Sequence, residues 1–190
     1  MKILLIVFVL IVSNFCLKAQ KSIDRVGIGF NYMTLDLPDD VAFSPQITYD
    51  KQIGKRLFLA SKIGYLSLFR NDRFSHTIPE TRKRLMFDIR PSFAILKYKK
   101  NHLKLGAGPS FWYKNDRVIS AILFPLNNQT QVLDYRMKNV KEFNMGLSIF
   151  SEIDIRISNK MSFATNFGIT NFKSSGLSSI MGITVLYEIR

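Results

Sequence analysis

Cysteine is nearly missing from this chain. Cys16 is the only one, and it follows a short apolar run at the N-terminus. The remainder holds no thiol, which excludes disulfides, thiolate nucleophiles and cysteine-ligated metals there. Histidine is scarce too, with His76 and His102 alone. They are predicted to lie in a loop and at a turn on opposite sides, a poor basis for a metal site. Ser75-His76 is the one serine next to a histidine, and no placed acid completes a triad. Gly27-Ile28-Gly29 and Gly106-Ala107-Gly108 lead into no helix, so the phosphate-cradling geometry is missing. The residues therefore predict no enzyme, no metal and no cofactor. Long apolar runs are absent as well, and no segment after the leader keeps a helical period.

Acid is the other shortage. Against 27 lysines and arginines stand 14 acidic residues, for a formal net charge of +13. A basic chain invites a nucleic-acid partner. The N-terminus argues otherwise, because it reads as an export signal. Met1-Lys2 is a short positive start, Ile3 to Val12 is apolar, and Leu17-Lys18-Ala19-Gln20 closes a mixed stretch. The apolar run is about ten residues, half of the roughly 20 that a spanning helix needs. Cleavage is placed after Ala19, giving a signal peptide at 1–19 and one domain at 20–190. Phe15 before Cys16 is too bulky for a lipoprotein signal, so Cys16 belongs to the leader. Losing Lys2 and Lys18 with the leader lowers the charge from +13 to +11. For an exported chain, phosphate-bearing lipids replace nucleic acid as the anionic neighbours.

What the chain does have is alternation. Ile183, Val185, Tyr187 and Ile189 interleave with Thr184, Leu186, Glu188 and Arg190, and the same two-residue period recurs in seven earlier segments. The predicted strands are 24–34, 43–51, 56–69, 84–98, 102–114, 141–157, 161–172 and 178–190. Each is near or above the roughly 9–11 residues of a tilted transmembrane strand. Connections at 52–55, 99–101 and 158–160 are tight, whereas those at 35–42, 70–83 and 115–140 are long. Such asymmetry is the layout of an outer-membrane barrel, with short turns in the periplasm. Within the third loop, 118–123 and 131–135 have the pattern of a hairpin projecting beyond the membrane. Pro45, Pro91 and Pro109 fall inside predicted strands, which calls for bulges or rim positions.

One parity collects Val26, Ile28, Phe30 and Tyr32, then Phe43, Ile47 and Tyr49, and so on around the chain, with no charge until Lys97. Its aromatic members fall near the two ends, as interfacial girdles do. The opposite parity collects Asp50, Lys62, Asp88, Arg90, Lys104, Glu152, Asp154, Arg156 and Glu188, with eight of the ten glycines. The apolar parity is expected outside and the charged one inside. An eight-stranded barrel is just wide enough for side chains to fill, so those nine charges are expected to pair across the lumen. A gated ion path is the sharper alternative. A soluble carrier of an apolar ligand would need the two faces exchanged.

With the interior nearly neutral, the excess positive charge belongs to the ends. Arg70, Arg73, Arg82, Lys83 and Arg84 flank the second loop, and Lys114, Arg117, Arg136, Lys138 and Lys141 flank the third. These ten are candidate contacts for lipid headgroup phosphates, those of lipopolysaccharide included; a solvated rim without a specific partner is the plainer reading.

Four stretches carry a family resemblance: Lys18-Ala19-Gln20, Asp24-Arg25-Val26-Gly27-Ile28-Gly29-Phe30, Lys104-Leu105-Gly106-Ala107-Gly108-Pro109-Ser110-Phe111, and Gly182-Ile183-Thr184-Val185-Leu186-Tyr187. With them the chain resembles the small outer-membrane β-barrel proteins of the Bacteroidetes, described as PorT-like and akin in architecture to the OmpA/OmpX class. The resemblance implies an outer-membrane location in a Gram-negative bacterium, an eight-stranded topology and no catalytic residues. The expectation is an all-β, antiparallel, up-and-down transmembrane barrel with eight strands, acting as a monomer. Its role is that of a structural or adhesive platform, or else of a narrow pore or transport-associated component. The outer-membrane assembly machinery is its expected partner during insertion.

Overall fold

The computed structural model describes residues 23–35, 40–71, 79–123, 134–172 and 176–189. The expected leader at 1–19, Arg73, Ser75-His76 and Arg190 lie outside the described residues. Eight strands follow in order: β1 (Ile23–Leu35), β2 (Asp40–Gln52), β3 (Leu57–Asn71), β4 (Pro79–Tyr98), β5 (Asn101–Leu123), β6 (Asp134–Arg156), β7 (Met161–Phe172) and β8 (Gly176–Glu188). Each pairs antiparallel with its neighbour, and β8 returns to β1, so the sheet closes into an up-and-down barrel.

The faces fall as the alternation requires. Ile28, Phe43 and Phe143 point outward and are 69%, 70% and 66% exposed, while their neighbours Gly27, Ser44 and Asn144 are buried. An exterior of this kind suits hydrocarbon, and it removes the soluble carrier, which needs these side chains inside. Aromatic contacts mark one rim: Tyr32 meets Phe43 edge-on at 5.3 Å, and Phe87, Phe111 and Phe143 stack in sequence at 6.1 and 6.0 Å.

β4, β5 and β6 run well past their predicted limits at one end. Leu123 pairs with Asp134 at the tip of a β5–β6 ribbon, so the hairpin expected within the third loop is continuous with the barrel strands. Pro79 to Lys83 of β4 adds to the same sheet. The sequence signal fades there for a physical reason. Beyond the membrane both faces of a ribbon meet water, so alternation is no longer imposed while the backbone ladder continues. Among the described residues β6 pairs with β7 only from Gly146 to Arg156.

Pro91 and Pro109 are accommodated without bulges of their own, and Pro45 pairs in register opposite Phe30. β4 pairs with β5 at Asp88↔Ser110 and again at Ser92↔Gly106 in an unshifted register, and the ladder lapses between. Pro91 and Pro109 both stand in that lapse, where their missing N–H groups cost the sheet nothing further. Gly108 lies between them, and a Cβ there would overlap the carbonyl oxygen of Ile89. Glycine thus permits the close approach of two strands.

Gly108→Ala is expected to destabilise the barrel by about 1–3 kcal/mol through this overlap. Trp112 is the only tryptophan and is fully buried, so urea unfolding of the micelle-refolded protein followed by its fluorescence reads the shift directly.

Candidate functional site

Among the described residues, chemistry-bearing side chains converge from every side in the lumen, and it is layered. Toward the short turns, six charges from five strands interlock. Arg25 of β1 pairs with Asp50 of β2 and, at 2.7 Å, with Asp154 of β6. Its guanidinium also donates to the Ser162 hydroxyl at 3.1 Å. Lys104 of β5 reaches Glu152 at 2.9 Å, Asp154 at 3.1 Å and Asp50 at 3.4 Å. Lys62 of β3 reaches Glu152 at 3.5 Å. Three cations thus face three carboxylates, all of them buried. The Lys104 ammonium also lies 4.3 Å from the Phe58 ring centroid, where the ring's negative face adds to its stabilisation.

A second group sits beside it. Asp88 accepts from the Ser110 hydroxyl and lies 3.4 Å from Arg90, whose guanidinium covers the Phe150 ring at 4.7 Å. Next comes a neutral polar layer, in which the Asn31 amide donates to Gln46 at 2.8 Å and the Gln46 amide to Thr184 at 2.9 Å. Toward the long loops the lumen turns apolar. Met33, Leu66, Met86, Trp112, Phe172 and Ile180 form one buried cluster, with Trp112 and Phe172 rings 4.2 Å apart.

Of the nine charges predicted for the lumen, Asp50, Lys62, Lys104, Glu152 and Asp154 meet in the central network. Asp88 and Arg90 pair next to it, and Arg156 pairs with Glu188 at the short-turn rim. Arg25 was missed, although it shares the inward parity of Gly27 and Gly29; that parity was the signal that finds it.

The ten basic residues assigned to headgroups divide. Arg84 and Lys114 are buried inside the barrel, which corrects their placement at a lipid surface. Arg84 shares the parity of Met86 and Asp88; it stacks over Trp112 at 5.2 Å and pairs with Asp116 at 3.4 Å. Arg82 is half-buried, 3.9 Å from Glu80. Lys83, Arg117, Arg136, Lys138 and Lys141 are exposed. Arg70 stands opposite Glu80 in the β3–β4 ladder.

Three exposed cations share one wall. Lys83, Asn115 and Lys141 form a row across β4, β5 and β6, and Thr81, Arg117 and Asn139 form the row beyond it. Directly below lies the row Leu85, Tyr113 and Phe143. Cations above an aromatic belt stand at the height of lipid headgroups.

No protein-family model matches the sequence, and no curated protein matches it. Solved structures do. The chain is similar to Neisserial surface protein A (TM-score 0.61, 9% identity, covering 90% of this chain and 98% of that one). It is similar to a major outer membrane protein from Thermus thermophilus (0.63, 9%, 90% and 100%). It is also similar to Ail, the attachment invasion locus protein of Yersinia pestis, solved with the heparin analogue sucrose octasulfate (0.55, 9%, 88% and 97%). At such identity the likeness is one of fold: an eight-stranded antiparallel up-and-down transmembrane β-barrel of the outer-membrane kind.

Removing one member of a buried ion network leaves its partners uncompensated, at about 3–5 kcal/mol. Lys104→Met, which leaves Asp50, Asp154 and Glu152 with only Arg25 and Lys62 to balance them, is expected to lower the urea midpoint accordingly. The double variant Lys104→Met, Glu152→Gln is expected to recover part of the loss, as read in the same unfolding assay.

Proposed function

We propose that the protein is an integral outer-membrane barrel with a closed lumen, which serves as a structural or adhesive platform presenting its projecting sheet. The observation that carries this reading is the double filling of the lumen. An interlocked ion network occupies one level and an apolar plug around Trp112 the other. A lumen filled at two levels leaves the outer surface and the projecting strands as the working parts. Export by the 1–19 leader and kinship with the small Bacteroidetes barrels belong to the same reading, as does the absence of a catalytic role. The outer-membrane assembly machinery is its partner at insertion, and it acts as a monomer.

Planar bilayers test the closed lumen. The wild-type protein is expected to give no steady single-channel openings, whereas stable openings would favour the narrow-pore reading.

We further assign the wall formed by Lys83, Arg117 and Lys141 to the phosphates of outer-leaflet lipid, lipopolysaccharide included. Their height above the aromatic row supports this, and each such cation contributes about 1 kcal/mol near an anionic surface. Changing all three to glutamine is therefore expected to weaken lipopolysaccharide binding roughly a hundredfold. Binding of labelled lipopolysaccharide to protein in zwitterionic micelles measures it.

A further inference from the structure

We propose that the short-turn mouth of the barrel is a binding site for a water-borne phosphate group, which approaches along the barrel axis and is held by Lys97, Lys99 and Lys100 over the His102 ring. A cavity of about 170 Å³ opens there, with Arg25, Phe58, His102, Lys97, Lys99 and Lys100 among its lining. Its size suits a single anionic group rather than a whole small-molecule ligand.

Charge is the first support. Arg25 is neutralised by Asp50 and Asp154, and Arg156 by Glu188. Lys97, Lys99 and Lys100 are exposed, and among the described residues none of them has an ion-pair partner. Three uncompensated positive charges around one small mouth focus a field that draws in an anion. A phosphate, with a charge near −2 and three strong acceptor oxygens, matches them better than one carboxylate does.

Local geometry is the second. On the unbroken alternation Lys97 belongs to the lipid-facing parity. The register of β4 against β5 shifts between Ala94 and Leu96, and beyond this bulge Lys97 stands directly opposite His102. Residues directly opposite share a face, and His102 has the inward parity of Lys104. The bulge has turned Lys97 from the lipid to the mouth, the re-aiming that bulges perform. His102 is half-buried against Phe58, with ring centroids 5.2 Å apart, and both of its ring nitrogens are buried with no hydrogen-bond partner among the described residues, so the ring lines the floor of the mouth and reports on what enters it.

The turn itself is the third. Two-residue hairpins favour Asn-Gly, yet this one is Lys99-Lys100, and Lys99 holds φ at +54°. A non-glycine residue in that region is disfavoured, and such outliers gather at functional positions. Headgroups of the surrounding leaflet lie around the outer perimeter, whereas Arg25, Phe58 and His102 face the axis. A water-borne phosphate is accordingly the occupant.

The test uses the mature chain in phosphatidylcholine nanodiscs, titrated with inorganic phosphate while the His102 ring resonances are followed. Saturable movement of His102 is expected. Lys97→Gln with Lys99→Asn and Lys100→Gly installs a favourable Asn-Gly turn, so the urea midpoint should hold or rise while phosphate affinity falls at least tenfold. Changing Lys83, Arg117 and Lys141 to glutamine should leave that affinity within twofold. A His102 resonance that does not respond, or a response undiminished in the turn variant, overturns the site. Movement of His102 in nanodiscs containing phosphatidylglycerol, with no free phosphate, overturns the water-borne source in favour of a lipid headgroup.

Discussion

A backbone amide that meets hydrocarbon has no water to bond, so every N–H and C=O at that depth must find a partner within the protein. For a sheet, the solution is closure, and the pairing of β8 with β1 supplies it here. Much follows from that one constraint. Closure gives each strand a lipid side and a lumen side, and so imposes the period of two. It also fixes the place of the awkward residues. Pro91 and Pro109 stand in the same lapse of the β4–β5 ladder, each still paired on its other side, with Leu59 and Leu147. These two residues without a donor share one interruption, and Pro45 of β2, opposite Phe30, stands just past the last β2–β3 pair at Gln46↔Gly64.

Closure also creates an interior too narrow for bulk solvent, which then has to be filled. The filling runs against the usual core: ionic at one level and apolar at another. Burying charge is expensive, and a buried pair seldom outperforms well-packed apolar groups of the same volume. What the central network adds is directional. Arg25 selects Asp50 and Asp154, and Lys104 selects Glu152 together with both aspartates, so β1, β2, β5 and β6 face one another across the lumen in a single rotational setting. An apolar interior would tolerate many settings. The apolar cluster at the other level supplies packing without that selectivity.

Wherever both the membrane and the lumen act on a strand, the sequence was readable. Eight strands, their order and their faces follow from alternation, and so do five of the six charges in the network. The failures have particular causes. Arg25 was left out of the lumen charges although the predicted strand 24–34 contains it and its parity with Gly27 and Gly29 was correct. Arg84 and Lys114 were grouped by nearness to loops, when their parity with Met86 and Trp112 places them inside. Lys97 was misplaced because a bulge is a change of register between two strands, and one strand's sequence does not carry it. The extensions of β4, β5 and β6 were invisible because water on both faces erases the period while leaving the hydrogen bonds.

The two mouths differ in kind, and that difference bears on what the barrel does. Toward the long loops, Met33, Trp112 and Phe172 plug the lumen, with the buried Arg84 stacked over Trp112 and paired with Asp116. Toward the short turns, the lumen is closed only as deep as Arg25 and Phe58, which leaves a shallow basic vestibule below them. A conduit needs favourable contacts along its whole length, weak enough at each step for release. Here the basic vestibule leads to a charge-balanced network, and that network leads to an apolar plug. The next buried cations, Arg84 and Lys114, stand beyond Met86 and Trp112 in the β4–β5 ladder, on the far side of that plug. On the closed-lumen reading proposed above, the charge asymmetry of the chain acts at its two surfaces. One surface is a wall of cations above an aromatic belt, and the other is a blind cationic mouth.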